Sequence, residues 1–308
     1  MRDAIASWLA MVARLSGRRA GAALVFHRID RVRRDPGREV VRGHAIGVLE
    51  AQLRHVAACY RVVPAADLPT AVTARRRGRR FPVAITFDDD LPSHRRLAAP
   101  LLRHHGLPAT FFLTGASLEA PHAFWWELLQ AAVDAELPIA PLTGGAEGAG
   151  VRELAAAVAR LAPEDRVAVG ERLCAALAPG AIQGGLDTDD VRALAAAGFE
   201  IGAHTVRHHE LPSLDDDALE RAMLDGRDRL ECLAGRPIRV IAYPHGRADA
   251  RVARAARAAG YAAGFTTHPA PVLPGDDPLL LGRLEPSFSS PLRLALRLVV
   301  TLIRRRRD

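Results

Sequence analysis

The stretch "FPVAITFDDD" at residues 81–90, read together with "FEIGAHTVRHHEL" at 199–211, decides the fold and the chemistry at once. In each, a short apolar run rich in β-favouring residues stops at side chains able to bind a metal or carry a proton, as a buried strand does at its end. Two such ends, facing one another across the mouth of an α/β sheet or barrel, lie where such folds place their chemistry. Neighbouring residues on a strand point in opposite directions, so Asp88 and Asp89 act together only if the strand is ending, and the following "DLP" supplies the break. His204 and His208 are four residues apart just after a strand, close enough for both to reach one metal if the loop begins a helical turn; His209 is a rival second ligand. One carboxylate and two imidazoles make a metal site. A second carboxylate, left free to take a proton from a bound water, completes the minimum apparatus for metal-assisted hydrolysis. "AYPHG" at 242–246 adds a tight turn at another strand end.

Working outward, "GAALVFH" reads as a strand ending at His27, followed by "YRVV", "VAITF", "ATFFL", "FEIGAH", "RVIAY", "AAGFTT" and "LLLGRLE". Helices are expected at about 46–59, 92–105, 188–197, 215–233 and 249–259. Repeated βα units imply a mainly parallel sheet, and this many of them suits a barrel better than an open sheet. The expected organisation is an amphipathic helix at 1–19, a barrel at 20–285 and a basic amphipathic helix at 286–308. Residues 115–186 break the alternation and read as a helical insertion. Because it follows a strand on the catalytic face, it can wall or cover a substrate cleft. Trp125 and Trp126 are candidates to stack on a sugar ring, against the alternative that at least one of them is a core residue.

At 308 residues with 49% hydrophobic content, the chain can fill a sizeable core. Its formal charge of +7 invites nucleic-acid or membrane readings, yet it contains no Lys and no Asn, so every basic residue is Arg. Both missing residues have A/T-rich codons, which makes genomic bias a sufficient source of the charge. No helix-turn-helix or aromatic-basic signature supports a nucleic-acid partner. Cys59, Cys174 and Cys232 are scattered and lack CxxC spacing, so buried free thiols are expected rather than disulfides or a thiolate zinc site. The N-terminal "MRDAIASWLAMVARLSGRR" has no persuasive cleavage site, which points to the cytoplasm. The C-terminal "SSPLRLALRLVVTLIRRRRD" has the composition of a helix lying on an anionic membrane surface, but the favoured reading is a docking helix that closes the barrel with a solvated basic end. Peripheral contact with the inner face of a membrane is therefore open to it.

The ordered set "TFDDD", "HTVRH" and "AYPHG", with "HGLPATFFLTG" between the first two, resembles the polysaccharide deacetylases, the NodB-homology or carbohydrate esterase family 4 proteins, over roughly residues 20–285. The resemblance implies a distorted (β/α)7 barrel and hydrolytic removal of an acyl group, usually N-acetyl, from an amino sugar of a polysaccharide or lipid-linked saccharide. It implies Asp88 as general base, Asp89, His204 and His208 as ligands of one divalent metal ion, most often zinc, and a backbone N–H near His245 at the oxyanion. His245 stands where Tyr is common, and Tyr243 and Trp125 are carried as substrate contacts. The acid is usually a late His. Members with a permuted order supply it from an early "LVFH" strand, which His27 matches better than His268 does. Asp90 replaces a common Gly, His209 a frequent Pro, and Ala242 an Arg that in many members orients the base. These departures leave two further readings: deformylation of a lipid-linked amino sugar, and a catalytically weak saccharide-binding protein.

Overall fold

The computed structural model describes residues 2–182 and 184–303. Seven parallel strands carry the architecture: β1 (Ala22–Phe26), β2 (Pro82–Asp88), β3 (Thr110–Leu113), β4 (Glu200–Ala203), β5 (Val240–Ala242), β6 (Ala263–Phe265) and β7 (Arg283–Leu284). Their spatial order is β7-β1-β2-β3-β4-β5-β6. The ring closes where Phe265 bridges Leu281 in parallel, the Thr266 N–H donating to the Leu281 carbonyl and the Leu281 N–H to that of Gly264. The barrel expected from the strand–helix alternation, in the distorted (β/α)7 form that the resemblance implies, is thus the observed fold. A short strand, Arg61–Val62, also pairs with the first residues of β2, and Ile29–Asp30 pairs with His44–Ala45 in a separate two-stranded ribbon.

The strands are apolar throughout because both of their faces are covered, as parallel sheets require. One face presents Ala23, Ala84, Phe112, Val240, Ala242, Ala263 and Phe265, which form a cluster inside the ring, where four alanines leave room for two Phe rings. The other face presents Leu24, Phe26, Ile85, Phe87, Phe111, Leu113, Ile201 and Ile241, packed against the surrounding helices. Burying each of these larger side chains contributes about 1.5–3 kcal/mol. Several helices start on a carboxylate that caps free amides: Asp187 accepts from the N–H groups of Asp189 and Asp190, Asp215 from Ala218, and Asp249 from Val252.

Two expectations change. The helix expected over 215–233 is two helices, Asp216–Leu224 and Arg227–Ala234, because Gly226 takes φ 72° between them. The cysteines are free, but Cys174 and Cys232 are exposed and only Cys59 is half-buried. Residues 115–186 do form a helical insertion, with Trp125–Asp134, Val151–Ala159 and Pro163–Ala176 sharing a small core of their own around Leu129, Val158 and Leu173.

Register sets the end of the barrel where the candidate residues gather. Phe26 pairs with Phe87, so His27 and Asp88 leave neighbouring strands at the same level; Leu113 pairs with Ala203, which places His204 one residue beyond. Gly202 faces the interior, where a Cβ would lie 2.5 Å from the Phe112 ring. Gly202→Ala is expected to lower the urea midpoint by the equivalent of about 1–3 kcal/mol through overpacking, measured by equilibrium unfolding; an unchanged midpoint would mean that Phe112 does not fill the barrel at this level.

Candidate active site

Six of the sequence-derived residues meet at the C-terminal mouth of the barrel. A cavity of about 460 Å³ is lined by His27 after β1, Asp88 and Asp89 at the end of β2, His204 and His208 after β4, and His245 after β5. The insertion supplies the opposite wall through Trp125, Trp126 and Ala155, and Val40 and Val41 complete it. Trp126 stacks on Phe124, with ring centroids 4.5 Å apart, and lies 4.8 Å from His208. A second cavity of about 630 Å³ continues from Asp89 and Trp126 past Glu127 and Gln130.

Backbone strain marks the same place. Five non-glycine residues with positive φ are found among the described residues, and four of them are Asp89 (75°), Thr205 (54°), His208 (50°) and His245 (56°). Each costs of order 1–3 kcal/mol and persists only where the surroundings enforce it. Here the left-handed turn at Asp89 is what frees two adjacent carboxylates from the alternation of the strand. Asp90 holds that turn: its carboxylate accepts from the Thr114 N–H at 2.8 Å and the Thr114 hydroxyl at 2.6 Å, while its carbonyl accepts from Leu186 where the insertion returns. Burial pushes the Asp90 carboxyl up to about 6.

The donor set fits a divalent cation. One ligand atom each from Asp89, His204 and His208 lie within 4.8 Å of one another. The Nδ1 of His204 bonds the Ala242 carbonyl at 2.8 Å, which turns Nε2 toward Asp89 Oδ1, 3.5 Å away; His208 Nε2 is 3.6 Å from the same oxygen. Asp89 Oδ1 is buried without a hydrogen-bond partner among the described residues, a costly state that a bound cation relieves. Burial, reinforced by His204, drives the His208 pKa down to about 3, so it is the neutral imidazole that coordination needs. Burial alone would raise Asp89, but the two imidazoles outweigh it and hold the carboxylate below its usual range.

Asp88 is positioned differently. Arg283, wholly buried on β7, grips it with two parallel bonds of 2.6 Å, Nη1 to Oδ1 and Nη2 to Oδ2. Burial would raise the Asp88 pKa; the guanidinium and His204 more than offset it and keep the group ionised. Sequence reasoning missed Arg283. Ala242 stands where the orienting Arg was expected, and the guanidinium enters instead from the last strand, which no spacing near "AYPHG" signals. His94 was missed as well: burial keeps it neutral, and its Nε2 bonds the His27 carbonyl at 3.1 Å, fixing the backbone that presents His27.

Three sequence-derived candidates fall elsewhere. Tyr243 is fully buried on the helix-facing side of the sheet, its hydroxyl donating to the Leu279 carbonyl at 2.8 Å. The reason is parity: Ala242 faces inward, so its neighbour faces out, and the expectation of a substrate contact is corrected. His209 lies outside the Asp89–His204–His208 group, in a groove beside Arg207. His268 is exposed and does not line the cavity.

A model of the family described as polysaccharide deacetylase matches residues 75–264, more than half of the chain. The chain belongs to the polysaccharide deacetylase family. Among curated proteins this deacetylase-family chain is similar to YxkH of Bacillus subtilis (strain 168), assigned by name to the polysaccharide deacetylases, with 22% identity over 187 residues. That match covers 61% of this chain and 45% of the relative, so the chain spans less than half of its length. Among solved structures it is similar to the Streptococcus pyogenes deacetylase PplD in complex with acetate, at a TM-score of 0.63 and 18% identity, covering 91% of this chain and 98% of the other. A de-N-acetylase from Aggregatibacter actinomycetemcomitans gives a TM-score of 0.56 and 15% identity over 88% and 96% of the two chains. At these identities the likeness to the solved structures is one of fold.

Two outcomes test the site. About one equivalent of zinc should remain on the wild type after removal of excess and be lost from His204→Ala, read by elemental mass spectrometry. Tyr243→Phe should cost about 1 kcal/mol of stability for its lost hydrogen bond while leaving saccharide affinity unchanged; a weakened affinity would return Tyr243 to the cleft.

Proposed function

We propose that this chain is a metal-dependent N-deacetylase of an amino sugar within a polysaccharide or a lipid-linked saccharide. The observation that carries the reading is a carboxylate gripped by a guanidinium, Asp88 by Arg283, beside a separate Asp89–His204–His208 group in one cavity. Family membership supports the same assignment. Of these two adjacent carboxylates, one is turned to the imidazoles and the other is held by Arg283.

Asp89, His204 and His208 would hold the metal, zinc being the best match to two imidazoles and a carboxylate. Bound there, a divalent cation supplies Lewis acidity toward the amide carbonyl and lowers the pKa of a coordinated water. Asp88, kept ionised and oriented by Arg283, takes the proton of the attacking water. The turn at Pro244–Gly246 brings His245 to the cavity wall, and we assign its backbone N–H to the developing oxyanion. His27, at the same level as Asp88 on the adjacent strand, gives a proton to the departing amine, so that acetate and the free amino sugar leave. Trp125 and Trp126 supply apolar faces on which a sugar ring can stack. Arg283 also removes the ground for reading Ala242 as a sign of lost catalysis, since the base has its guanidinium from another strand.

The test is acetate release from N-acetylated amino-sugar oligomers by zinc-loaded protein. Asp88→Asn should lower kcat by about 10²–10⁴-fold, the range of a lost general base, with metal content unchanged; undiminished turnover would remove Asp88 as the base. Arg283→Lys keeps the charge but loses the paired geometry. It should lower kcat by about tenfold or more at unchanged KM, whereas a purely structural role would change the unfolding midpoint and leave kcat per folded molecule intact.

A further inference from the structure

The N-terminal helix, Arg2–Leu15, is amphipathic the wrong way round for an ordinary surface helix. Among its described side chains Ala6, Ala10 and Ala13 are buried, while the large apolar residues Ile5, Trp8, Met11, Val12 and Leu15 face solvent, Trp8 being 57% exposed and Leu15 56%. Positions 5, 8, 12 and 15 follow helical periodicity, so they form one stripe rather than scattered exceptions. This helix packs against the C-terminal helix, Pro291–Ile303, which buries Leu294, Ala295, Leu298 and Leu302 and leaves Leu296 and Val300 exposed on the other side. Seven of the eleven exposed large hydrophobic residues found among the described residues thus lie on two neighbouring helices. A soluble surface does not normally concentrate them in this way.

Positive charge gathers at the end of the same stripe. The Arg-rich loop 75–80 folds onto the C-terminus of the first helix: Arg75 Nη2 donates to the Arg14 carbonyl at 3.0 Å, Arg77 Nε to that of Leu15 at 3.0 Å, and the Gly78 N–H to that of Arg14. The loop thereby satisfies the carbonyls that a helix end leaves free. It also brings Arg76, Arg77, Arg79 and Arg80 beside Arg14, all exposed, around a groove of about 630 Å³. Among the described residues none of these five forms an ion pair with a carboxylate, and the partners of Arg14, Arg76, Arg77 and Arg80 are backbone carbonyls. No described helix is long and apolar enough to cross a membrane, so an apolar stripe beside a cationic cluster has the form of a surface-lying element.

We propose that the face formed by the first and last helices and the loop 75–80 docks on an anionic lipid surface, with the apolar stripe entering the acyl boundary and the guanidinium cluster meeting lipid phosphates. Arg suits this role because its planar fork binds phosphate oxygens in pairs. Charge complementarity selects the occupant: a second copy of the chain would set two clusters of unpaired guanidinium groups near one another. Orientation follows from topology. The loop 75–80 precedes β2 and the site residues follow it, so the Arg cluster and the cavity lie at opposite ends of that strand, about 20 Å apart for its seven residues. Docking by this face leaves the cavity mouth clear. Arg304–Arg307, to which the sequence also pointed, lie outside the described residues.

The experiment is co-flotation of the full chain with vesicles of phosphatidylcholine alone or mixed with phosphatidylglycerol, at low and high salt. Partitioning should be at least about tenfold stronger with phosphatidylglycerol at low salt, each Arg near an anionic surface adding to it, and should fall as salt is raised. Trp8→Ser/Leu15→Ser and, separately, Arg76→Ser/Arg79→Ser should each reduce it about tenfold, with unfolding midpoints and zinc content at wild-type values because these side chains are exposed. Equal partitioning to both vesicles, or variants that bind like the wild type, would overturn the proposal. A concentration-dependent dimer in sedimentation, abolished by Trp8→Ser/Leu15→Ser and accompanied by no vesicle binding, would overturn it in favour of a second copy. Neither readout requires turnover, so the result is independent of the deacetylase assignment.

Discussion

The pair between Arg283 and Asp88 is the constraint on which the site and the closure of the barrel both depend. A guanidinium removed from water costs several kcal/mol unless its donors are satisfied, and here four of its five N–H groups point to acceptors. Nη1 and Nη2 take the two oxygens of Asp88, Nη1 also meets the Thr86 hydroxyl at 3.2 Å, and Nε donates to the Thr266 carbonyl at 3.1 Å. One side chain from β7 therefore ties the end of β2 to the end of β6 across the mouth of the ring. β7 pairs with β1 through only two residue positions, Ala23 with Arg283 and Leu24 with Leu284. A strand that short gains much of its place from what its side chain does.

The same pair divides the labour of two adjacent carboxylates. Held by Arg283, Asp88 has both oxygens committed and a low pKa, and cannot turn toward the imidazoles. Asp89, rotated away by a left-handed backbone, has one oxygen aimed at His204 and His208 and no other partner for it. A neutral residue in place of Asp88 would leave the buried charge of Arg283 unpaired. The strained φ values at Asp89, Thr205, His208 and His245 lie on three loops that converge on one point, and packing of the rigid strands beneath them is what sustains the strain.

Charge and hydrophobicity, which the composition alone left ambiguous, acquire meaning from where they are gathered. An Arg-only basic complement is consistent with codon bias, and counting residues cannot separate bias from use. Placement can: the loop 75–80 is anchored to the end of a helix whose outward face is apolar, so bias in composition and a local cationic surface are both present in the same molecule.

What the sequence by itself determined was set by short-range physics. Strand ends are announced by an apolar run meeting a turn, so "TFDDD", "FEIGAH" and "AYPHG" located Asp88, Asp89, His204, His208 and His245, and the alternation of strands and helices located the barrel. Helix breaks governed by a single backbone angle, as at Gly226, were not legible, nor was the outward face of Tyr243, because parity depends on where the strand begins to pair. Only the tertiary structure decided that Asp88 is gripped by Arg283, 195 residues away in the chain, and that His94 fixes the backbone of His27, 67 residues before it. Contacts of that separation are made by the closure of the ring, and no local pattern records which strand will arrive opposite a given carboxylate.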